Sequence, residues 1–488
     1  MATPIVRVLS YVLAIVGFAL LPPIGVAFAF GERACIAPFA VPLAVSWCLA
    51  LACWFAKSDA AQPFEAKSAF LVVGGAWVVT GLFGAVPIWA CGATQSFHDA
   101  VFESVSGFTT TGASVMANVE ALPRCVNLWR CETHWLGGMG VIALAVALIP
   151  LLGIGGFRLI KAETSGPEKG KVTSRIADTA KALWFIYFAM TAVQAALLMC
   201  AGMDWFDSIC HSFSTLGTGG FSTRNASVGA FSNAWVDWIC TVFMLLASVN
   251  FALYYRLLTG RAGELLRDTE LHGFLGIVAL SVAVVTCVEL QDFGSVAQAL
   301  RFSAFQVASI ISTTGFMTSD YSVWRPAAQV FLLALFLVGG CSGSTAGGIK
   351  VIRWTILAKQ LKNEFSRLLH PHAVVTLRLN GIAGRDSIVP LAAAFVFVYL
   401  LLVLVTAFAG GLAGLGLIEA LSAALSMVGN IGPAFGSMGP TANYGALPVA
   451  LKWWYAFAML AGRLELYTML ILIGRAFASI STSRATRR

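Results

Sequence analysis

Ten long apolar segments run through this 488-residue sequence, and each approaches the ~20 residues that cross a bilayer as a helix. They occupy residues 9–30, 37–55, 69–90, 128–152, 182–203, 235–258, 271–290, 326–357 with an interruption, 389–412 and 451–477. Hydrophobic residues make up 58% of the chain and charged residues only 11%, which leaves too little polar surface for a soluble fold. The sequence therefore predicts an all-α integral membrane protein.

Basic residues are unevenly distributed between the segments that join these spans. If the amino terminus is cytosolic, 23 of the 31 Lys and Arg residues fall in inner segments and 7 in outer ones, as the positive-inside rule requires. The outer segments hold more acidic than basic residues, which would concentrate cations at an entrance there. We expect a multi-pass protein with a cytosolic amino terminus.

Four stretches rich in Gly, Ser and Thr lie between apolar segments and would be poor transmembrane helices: residues 102–115, 211–223, 305–318 and 422–435. They can be aligned on one glycine each, Gly112, Gly220, Gly315 and Gly432. Six residues before the glycine stands a serine every time: Ser106, Ser214, Ser309 and Ser426. Thirteen residues before it stand Asp99, Asp207, Phe302 and Glu419, an acid in three cases of four. The alignment predicts a fourfold repeat of re-entrant loops.

The repeat divides the chain into five predicted units. Residues 1–60 form two spans without such a loop, and we expect them to serve packing or to face lipid. The four predicted span–loop–span repeats cover residues 61–176, 177–268, 269–372 and 373–488. In each repeat a short helix precedes the loop, and Asp99 illustrates how an acid at its start would cap free N–H groups.

Such loops suit a monovalent cation. Each short helix would direct its carbonyl end at the loop, and four loops around one axis would form a ring of backbone oxygens that replaces the hydration shell of an ion. Glycine fits this role because the carbonyls must converge without a Cβ in the way and because the required φ can be positive.

Two further features lie at membrane depth. Residues 339–348 contain five glycines in ten residues and interrupt a span, so we expect a mobile segment that lines the pathway, with close helix packing as the alternative. Arg463 lies within the last span and is a functional candidate because an intramembrane charge is costly. Glu465, two residues on, faces elsewhere on a helix, so we expect the partner of Arg463 to lie in another segment, in water or in the glycine-rich run.

The cysteines give one structural hypothesis. Cys125 and Cys131 share a predicted outer segment, where a disulfide between them is possible, although spacing alone does not fix the geometry. The other cysteines lie mostly in apolar spans, and no C-x-x-C pattern occurs.

The motifs as a set resemble the TrkH branch of the Trk/Ktr/HKT potassium transporters. The resemblance is carried by T-T-T-G-A-S, T-G-G-F-S-T, S-T-T-G-F-M-T and G-N-I-G-P in the loops, and by W-L-G-G-M-G, G-G-C-S-G-S-T-A-G-G-I-K and G-R-L-E elsewhere. It implies potassium uptake through a channel-like pore with one selectivity glycine per repeat. A serine at the first glycine position goes with sodium preference in this family, so Gly112 favours potassium.

The resemblance also implies the residues of the site. The selectivity filter would comprise Thr110, Thr111, Gly112, Thr218, Gly219, Gly220, Thr313, Thr314, Gly315, Asn430, Ile431 and Gly432. Potassium would bind at Thr111, Gly112, Gly219, Gly220, Thr314, Gly315, Ile431 and Gly432. The gate would comprise Gly339, Gly340, Gly343, Ser344, Gly347, Gly348, Lys350 and Arg463.

Partners and location follow from the same resemblance. It implies a homodimer in the bacterial cell inner membrane, docked on a cytosolic nucleotide-binding regulatory subunit of the RCK type. Potassium is the transported ion, and neither a bound organic cofactor nor a nucleic-acid partner is expected.

Two other classes of function remain as alternatives. A carrier that couples potassium entry to protons or sodium, a symport, usually has paired ionisable residues at mid-membrane, where this chain offers mainly Arg463 and Glu465. A membrane-embedded enzyme is disfavoured, because no H-E-x-x-H motif and no nucleophile–base spacing is present. We therefore expect a protein that is not an enzyme.

Overall fold

The computed structural model describes residues 4–56, 66–140, 176–370, 377–380, 382–383 and 388–464, and these are predominantly α-helical. The helices of the first half are α1 Pro4–Phe18, α2 Leu21–Ala29, α3 Arg33–Phe55, α4 Ala66–Ala90, α5 Phe97–Phe108, α6 Arg124–Gly138, α7 Ile176–Cys200, α8 Trp205–Leu216, α9 Ala234–Ala247, α10 Phe251–Leu258 and α11 Ala262–Leu265. Those of the second half are α12 Thr269–Glu289, α13 Val296–Ile311, α14 Pro326–Leu335, α15 Val351–Leu369, α16 Ile388–Leu412, α17 Leu417–Gly429 and α18 Val449–Arg463. A short antiparallel pair, β1 Arg378–Leu379 and β2 Ile382–Ala383, joins α15 to α16.

Within the described residues, six helices are long and apolar enough to cross a membrane, and a seventh span results if the bent pair α9 and α10 is counted as one. These seven match seven of the ten predicted spans. Two others, 128–152 and 451–477, extend into residues outside the described ranges. The remaining one, 326–357, is divided into α14 and α15 by a non-helical segment, as the glycine-rich run predicted.

The predicted span 235–258 is not one continuous helix, and this is a correction. The chain bends by 91° between α9 and α10, at residues 248–250. Asn250 begins the second half, because its side chain accepts a hydrogen bond from the N–H of Ala252 at 2.9 Å. The bend leaves the carbonyl of Ser248 and the N–H of Phe251 without partners in their own helices, and both bond to residues 341–343.

Large apolar side chains point outward from the long helices. On α16, Phe397, Leu404, Phe408 and Leu412 are each more than 60% exposed. Because lipid tails solvate such side chains, this surface is consistent with a helix bundle embedded in a bilayer.

Within the described residues, each repeat shows a long helix, a short helix, a loop and a further helix, in that order. The four short helices are α5, α8, α13 and α17, and each ends three or four residues before its aligned glycine. Ser96, Asp204 and Ser295 cap the first three by accepting hydrogen bonds from backbone N–H groups. Asp99, the predicted cap, lies in the first turn of α5 instead. Its Oδ1 forms an ion pair with Lys452 Nζ at 2.6 Å.

The segments that follow the four loops join the repeats into a closed circle. Repeat 1 bonds to repeat 2 through Val119 N–H and Asn225 Oδ1 at 2.8 Å, and repeat 2 to repeat 3 through Gly229 N–H and Met317 O at 3.0 Å. Repeat 3 bonds to repeat 4 through the Tyr321 hydroxyl, which donates to Ala434 O at 3.2 Å. Repeat 4 bonds back to repeat 1 through Tyr444 N–H, which donates to Ser114 O at 2.8 Å. The repeats therefore surround one axis in chain order.

The first three helices pack against repeat 1 and contribute more than packing. The carboxylate of Glu32 accepts hydrogen bonds from the backbone N–H groups of Arg124, at 2.7 Å, and Cys125, at 3.0 Å. These are donors at the start of α6 that have no partner inside the helix. Glu32 thus caps the helix that follows the first glycine loop.

The possible disulfide is wrong. Cys125 and Cys131 are both free, buried thiols on α6. Six residues of α-helix separate their Cα atoms by about 9 Å along the axis, beyond the ~7 Å that a disulfide can bridge.

Candidate functional site

The four glycine loops have the same backbone conformation. Each begins with a residue in the left-handed region, Thr110, Thr218, Thr313 or Asn430, with φ between 53° and 56°. Two residues later the aligned glycine also has positive φ: 79° at Gly112, 80° at Gly220, 78° at Gly315 and 105° at Gly432. Positive φ at the glycines was expected from the sequence. It missed the left-handed threonines, because β-branched residues rarely adopt this conformation; Asn430, a residue type that tolerates it, was the available signal.

One backbone hydrogen bond recurs in every repeat at the position of the aligned serine. The residue before each glycine donates its N–H to the carbonyl oxygen of the aligned serine, and all four distances are 2.9 Å. The donor and acceptor pairs are Thr111 to Ser106, Gly219 to Ser214, Thr314 to Ser309, and Ile431 to Ser426. The chosen alignment therefore corresponds to equivalent positions in space.

The loops contact one another around a common centre. A Cβ added to Gly112 would lie 1.8 Å from the carbonyl oxygen of Gly219, and one added to Gly220 would lie 2.0 Å from that of Thr314. The same contact runs from Gly315 to Ile431 O at 2.1 Å and from Gly432 to Thr111 O at 2.6 Å. Each loop thus packs a backbone oxygen against the glycine of the preceding loop, and no side chain fits at the four contacts.

Most carbonyl oxygens in this ring have no hydrogen-bond donor. Among the described residues, nothing donates to the carbonyls of Thr111, Gly112, Gly219, Gly220, Thr314, Gly315 or Ile431, whereas Gly432 O accepts the Tyr444 hydroxyl at 2.8 Å. Buried carbonyl groups are normally paired with a donor. The unpaired oxygens are therefore available to an ion, and they belong to seven of the eight residues predicted to bind potassium.

The side chains of the loops point into the protein and hold the loops in place. The hydroxyls of Thr109 and Thr111 are 2.8 Å apart, and those of Ser312 and Thr314 are 2.7 Å apart. The amide of Asn430 donates to Thr111 Oγ1 at 2.9 Å, which ties the fourth loop to the first. No group of three or more His, Cys, Asp or Glu side chains in the described ranges could hold a metal ion.

The interrupted span brings its glycine-rich run against the ring. Gly347 N–H donates to Thr313 Oγ1 at 2.7 Å, and a Cβ at Gly347 would lie 2.4 Å from the carbonyl oxygen of Gly429. Gly339 N–H donates to Ile349 O at 3.0 Å, which closes the run into a loop, and Gly343 and Gly348 adopt positive φ. We call residues 339–348 the crossing loop, because it passes beside the carbonyl ends of the short helices.

The crossing loop is anchored to the bend between α9 and α10. Cys341 N–H donates to Ser248 O at 2.8 Å, and Phe251 N–H donates to Gly343 O at 3.1 Å. Glu270 of α12 accepts the N–H groups of Ser342 at 2.6 Å and Ile352 at 3.1 Å, so one carboxylate joins the crossing loop to the first turn of α15. Neither the bend nor Glu270 was predicted from the sequence as part of this site.

Arg463 connects the crossing loop to another helix. Its guanidinium donates to Thr345 O at 2.8 Å, to Gly137 O at 2.6 Å and to Gly138 O at 3.1 Å. Lys350 donates to the carbonyl of Ala346 within the same loop. Of the three partners expected for Arg463, the structure shows two, the glycine-rich run at Thr345 and another segment at Gly137 and Gly138. Glu465 lies outside the described residues.

The structure thus brings all twelve residues of the predicted filter into one ring. Six of the eight predicted gate residues lie in the adjoining crossing loop, whereas Lys350 and Arg463 lie outside it and donate to its carbonyl oxygens. Ser344 lies in that loop, and its hydroxyl donates to the carbonyl oxygen of Cys341 at 2.6 Å. Gly340 packs against Ser248 at the bend. The arrangement offers a dehydrated cation a ring of oxygens with the crossing loop next to it.

Comparisons with known proteins find one family. Residues 38–478 match the family model TrkH, described as a cation transport protein. The Trk system potassium uptake protein TrkH of Halomonas elongata is 38% identical over 479 residues, which is 97% of this chain and 98% of that protein. The protein of the same name from Escherichia coli K12 is 37% identical over 450 residues, 91% of this chain and 92% of its own. The crystal structure of the potassium transporter TrkH from Vibrio parahaemolyticus superposes with a TM-score of 0.85 at 36% identity, covering 96% of this chain and 97% of the other.

Proposed function

The chain belongs to the TrkH family of cation transport proteins, and from this premise we propose that it takes up potassium across a membrane through a channel-like pore. The pore is the centre of the ring formed by the four glycine loops, and the filter comprises the twelve residues predicted from the sequence. The relatives named above are potassium uptake proteins, which supports potassium as the transported ion.

One observation carries the proposal. Seven backbone carbonyl oxygens from four separate repeats lie in one ring without a hydrogen-bond donor among the described residues. Four of them belong to the buried residues Thr111, Gly219, Thr314 and Ile431, and a buried unpaired oxygen costs free energy unless a partner is supplied. A potassium ion that has shed its water supplies that partner, and the carbonyl ends of α5, α8, α13 and α17 add favourable dipoles.

The crossing loop acts as a gate in this proposal. Its contacts with Thr313 and Gly429 place it beside the ring, and Arg463 adds a positive charge that disfavours a cation at the same level. Opening requires the hydrogen bonds of Thr345 and Gly347 to be exchanged for other partners. Glycines at positive φ give the loop the conformational freedom for that change.

The proposal extends to assembly and regulation. We place the protein in a bacterial inner membrane with a cytosolic amino terminus, as a homodimer on a cytosolic nucleotide-binding regulatory subunit of the RCK type. The support is the excess of basic residues in the inner segments together with the family. The end of α15 adds exposed Leu361, Phe365 and Leu368, an apolar surface suited to a protein contact.

The test is flux into vesicles that contain only the purified protein. Vesicles loaded with potassium are diluted into a potassium-free medium with radioactive rubidium outside, and the uptake of rubidium is compared with that of radioactive sodium. We expect downhill rubidium uptake that greatly exceeds sodium uptake and needs no proton or sodium gradient. If rubidium enters only with a proton or sodium gradient, and in a fixed ratio to the ions that move down that gradient, the carrier alternative holds instead. Equal rates for rubidium and sodium would refute the potassium filter.

A further inference from the structure

A buried ion pair lies directly behind the first glycine loop. Glu103 of α5 and Arg130 of α6 are 0% and 1% exposed, and the guanidinium contacts Glu103 Oε1 through Nη2 at 2.7 Å and Nε at 2.8 Å. An ion pair removed from water in this way is costly unless its remaining hydrogen-bonding groups also find partners.

Those remaining groups are bonded to the loop itself. Glu103 Oε2 accepts the backbone N–H of Val115 at 2.9 Å, and Oε1 accepts the Ser114 hydroxyl at 2.9 Å. Arg130 Nη2 contacts the same hydroxyl at 3.2 Å. The pair therefore holds Ser114 and Val115 in place. They follow Gly112 and Ala113 in the first glycine loop, loop 1, and we call the part of each loop that follows its aligned glycine the outer limb.

Arg130 also reaches the second loop. Its Nη1 donates to Asn127 Oδ1 at 3.1 Å and to Ser222 O at 3.4 Å, and the guanidinium lies 4.2 Å from the centre of the Phe221 ring. Phe221 and Ser222 follow Gly220 directly. One side chain thus contacts the outer limbs of both loops, beside the contact between Gly112 and Gly219.

The outer limbs of the other loops are held by neutral groups and by carboxylates that belong to no fully buried ion pair. Thr223 donates to Asp207 Oδ1 at 2.7 Å in repeat 2, and Ser437 N–H donates to Glu419 Oε1 at 2.8 Å in repeat 4. His211 bonds to the Ser222 hydroxyl at 2.9 Å, Ser309 donates to Phe316 O at 2.6 Å, and Phe435 N–H donates to the Ser422 hydroxyl at 3.1 Å. Loop 2 has an ion pair of Asp207 with Arg224, but the side chain of Arg224 is 44% exposed, so water screens it. Among the described residues, the fully buried pair is thus specific to loop 1.

We propose that Glu103 and Arg130 are positioning residues for ion selectivity, an inference that rests on the proposed potassium pore. Neither touches the ion. Charge-assisted hydrogen bonds are shorter and stronger than neutral ones, so the pair fixes the separation of loops 1 and 2 more tightly than contacts without a fully buried ion pair fix the others. A rigid separation keeps the carbonyls of Thr111 and Gly219 too far apart to close around the smaller sodium ion.

The experiment measures the ratio of rubidium to sodium uptake in vesicles for Arg130→Lys, Glu103→Gln and Ser114→Ala. Lysine keeps the positive charge, but its single ammonium group cannot donate to Glu103, Asn127 and Ser222 at the same time. We expect a fall of about fivefold in the ratio for the first two variants, equivalent to about 1 kcal/mol, and a smaller fall for Ser114→Ala. The matched control is Asp292→Asn, which breaks the exposed pair of Arg325 and Asp292 on the outer surface and should leave the ratio unchanged.

The outcomes separate this inference from the function on which it rests. Wild-type vesicles without rubidium-selective flux would refute the proposed function. Selective wild-type flux with an unchanged ratio in the folded variants would refute the positioning role alone, and so would an equal fall in the Asp292→Asn control. Folding is monitored by size-exclusion profile and thermal unfolding. If Glu103→Gln leaves an unpaired buried arginine and does not fold, Arg130→Lys and Ser114→Ala, which keep both charges in place, decide the question.

Discussion

At the scale of single residues, the four aligned glycines are required for two separate reasons. Their φ angles lie between 78° and 105°, where a residue with a Cβ is strained. In addition, a Cβ at any of them would lie 2.6 Å or less from a carbonyl oxygen of the next loop. Asn or Asp would meet the conformational requirement at some cost, whereas the contact between loops admits a Cβ only if the neighbouring carbonyl group moves.

This double requirement predicts the effect of Gly112→Ser. The new Cβ would displace Gly219 O, so the carbonyls of loops 1 and 2 must separate or rotate. We expect the ratio of rubidium to sodium uptake to fall by about tenfold or more, equivalent to ~1.4 kcal/mol of lost discrimination. The matched control is Gly92→Ser, because Gly92 also has positive φ, 72°, but has nothing within 4 Å of an added Cβ. A ratio that is unchanged in Gly112→Ser, or lowered equally in the control, would contradict the assignment of loop 1.

At the scale of elements, the sequence predicted the interrupted span but not the bent one. Five glycines in residues 339–348 indicate unwound backbone because glycine weakens a helix wherever it occurs. Residues 235–258 contain no such local signal, apart from Asn250, and form a bend because the crossing loop donates to Ser248 O and accepts from Phe251 N–H. Such a bend depends on a segment some ninety residues away, so local sequence patterns do not reveal it.

The contacts of the crossing loop predict the effect of Arg463→Gln. Glutamine is shorter and uncharged, so it cannot bridge Thr345 O to Gly137 O and Gly138 O. We expect resting rubidium flux into vesicles to rise severalfold, since loss of two or three hydrogen bonds of about 1 kcal/mol each favours the displaced loop. Shortening the 339–348 run should act in the same direction.

Arg367→Gln serves as the control for this change, because Arg367 is an exposed arginine on α15 that pairs only with Glu364 among the described contacts. Its flux should equal that of the wild type. A fall in flux in Arg463→Gln, with normal folding, would mean that the arginine supports the open pathway instead of closing it.

At the scale of the whole molecule, the account depends on four repeats closing into one ring. The sequence predicted the repeats, their order and the aligned glycines, because the same spacing of Ser to Gly recurs four times. It did not predict the contacts that close the ring, such as Tyr444 with Ser114, or the capping of α6 by Glu32. These contacts join residues about 90 to 330 positions apart, and no spacing within one repeat encodes them.

A ring assembled from all four repeats predicts that its ion stabilises the entire fold. An ion that binds only the folded state raises the free energy of unfolding by about 2.7 kcal/mol at one hundred times its dissociation constant. We therefore expect the midpoint of thermal unfolding in detergent to rise with potassium concentration, and to rise less with sodium at equal ionic strength. Gly112→Ser should reduce the difference between the two salts. Equal midpoints in both salts for the wild-type protein would speak against a potassium site at the ring.

The most direct test of the ring is to locate the ion by anomalous diffraction from crystals grown in rubidium. The account predicts density on the axis of the four loops, enclosed by the carbonyl oxygens of Thr111, Gly219, Thr314 and Ile431, and absent when sodium replaces rubidium. Rubidium density that lies elsewhere in the protein, with none between the four glycines, would contradict it.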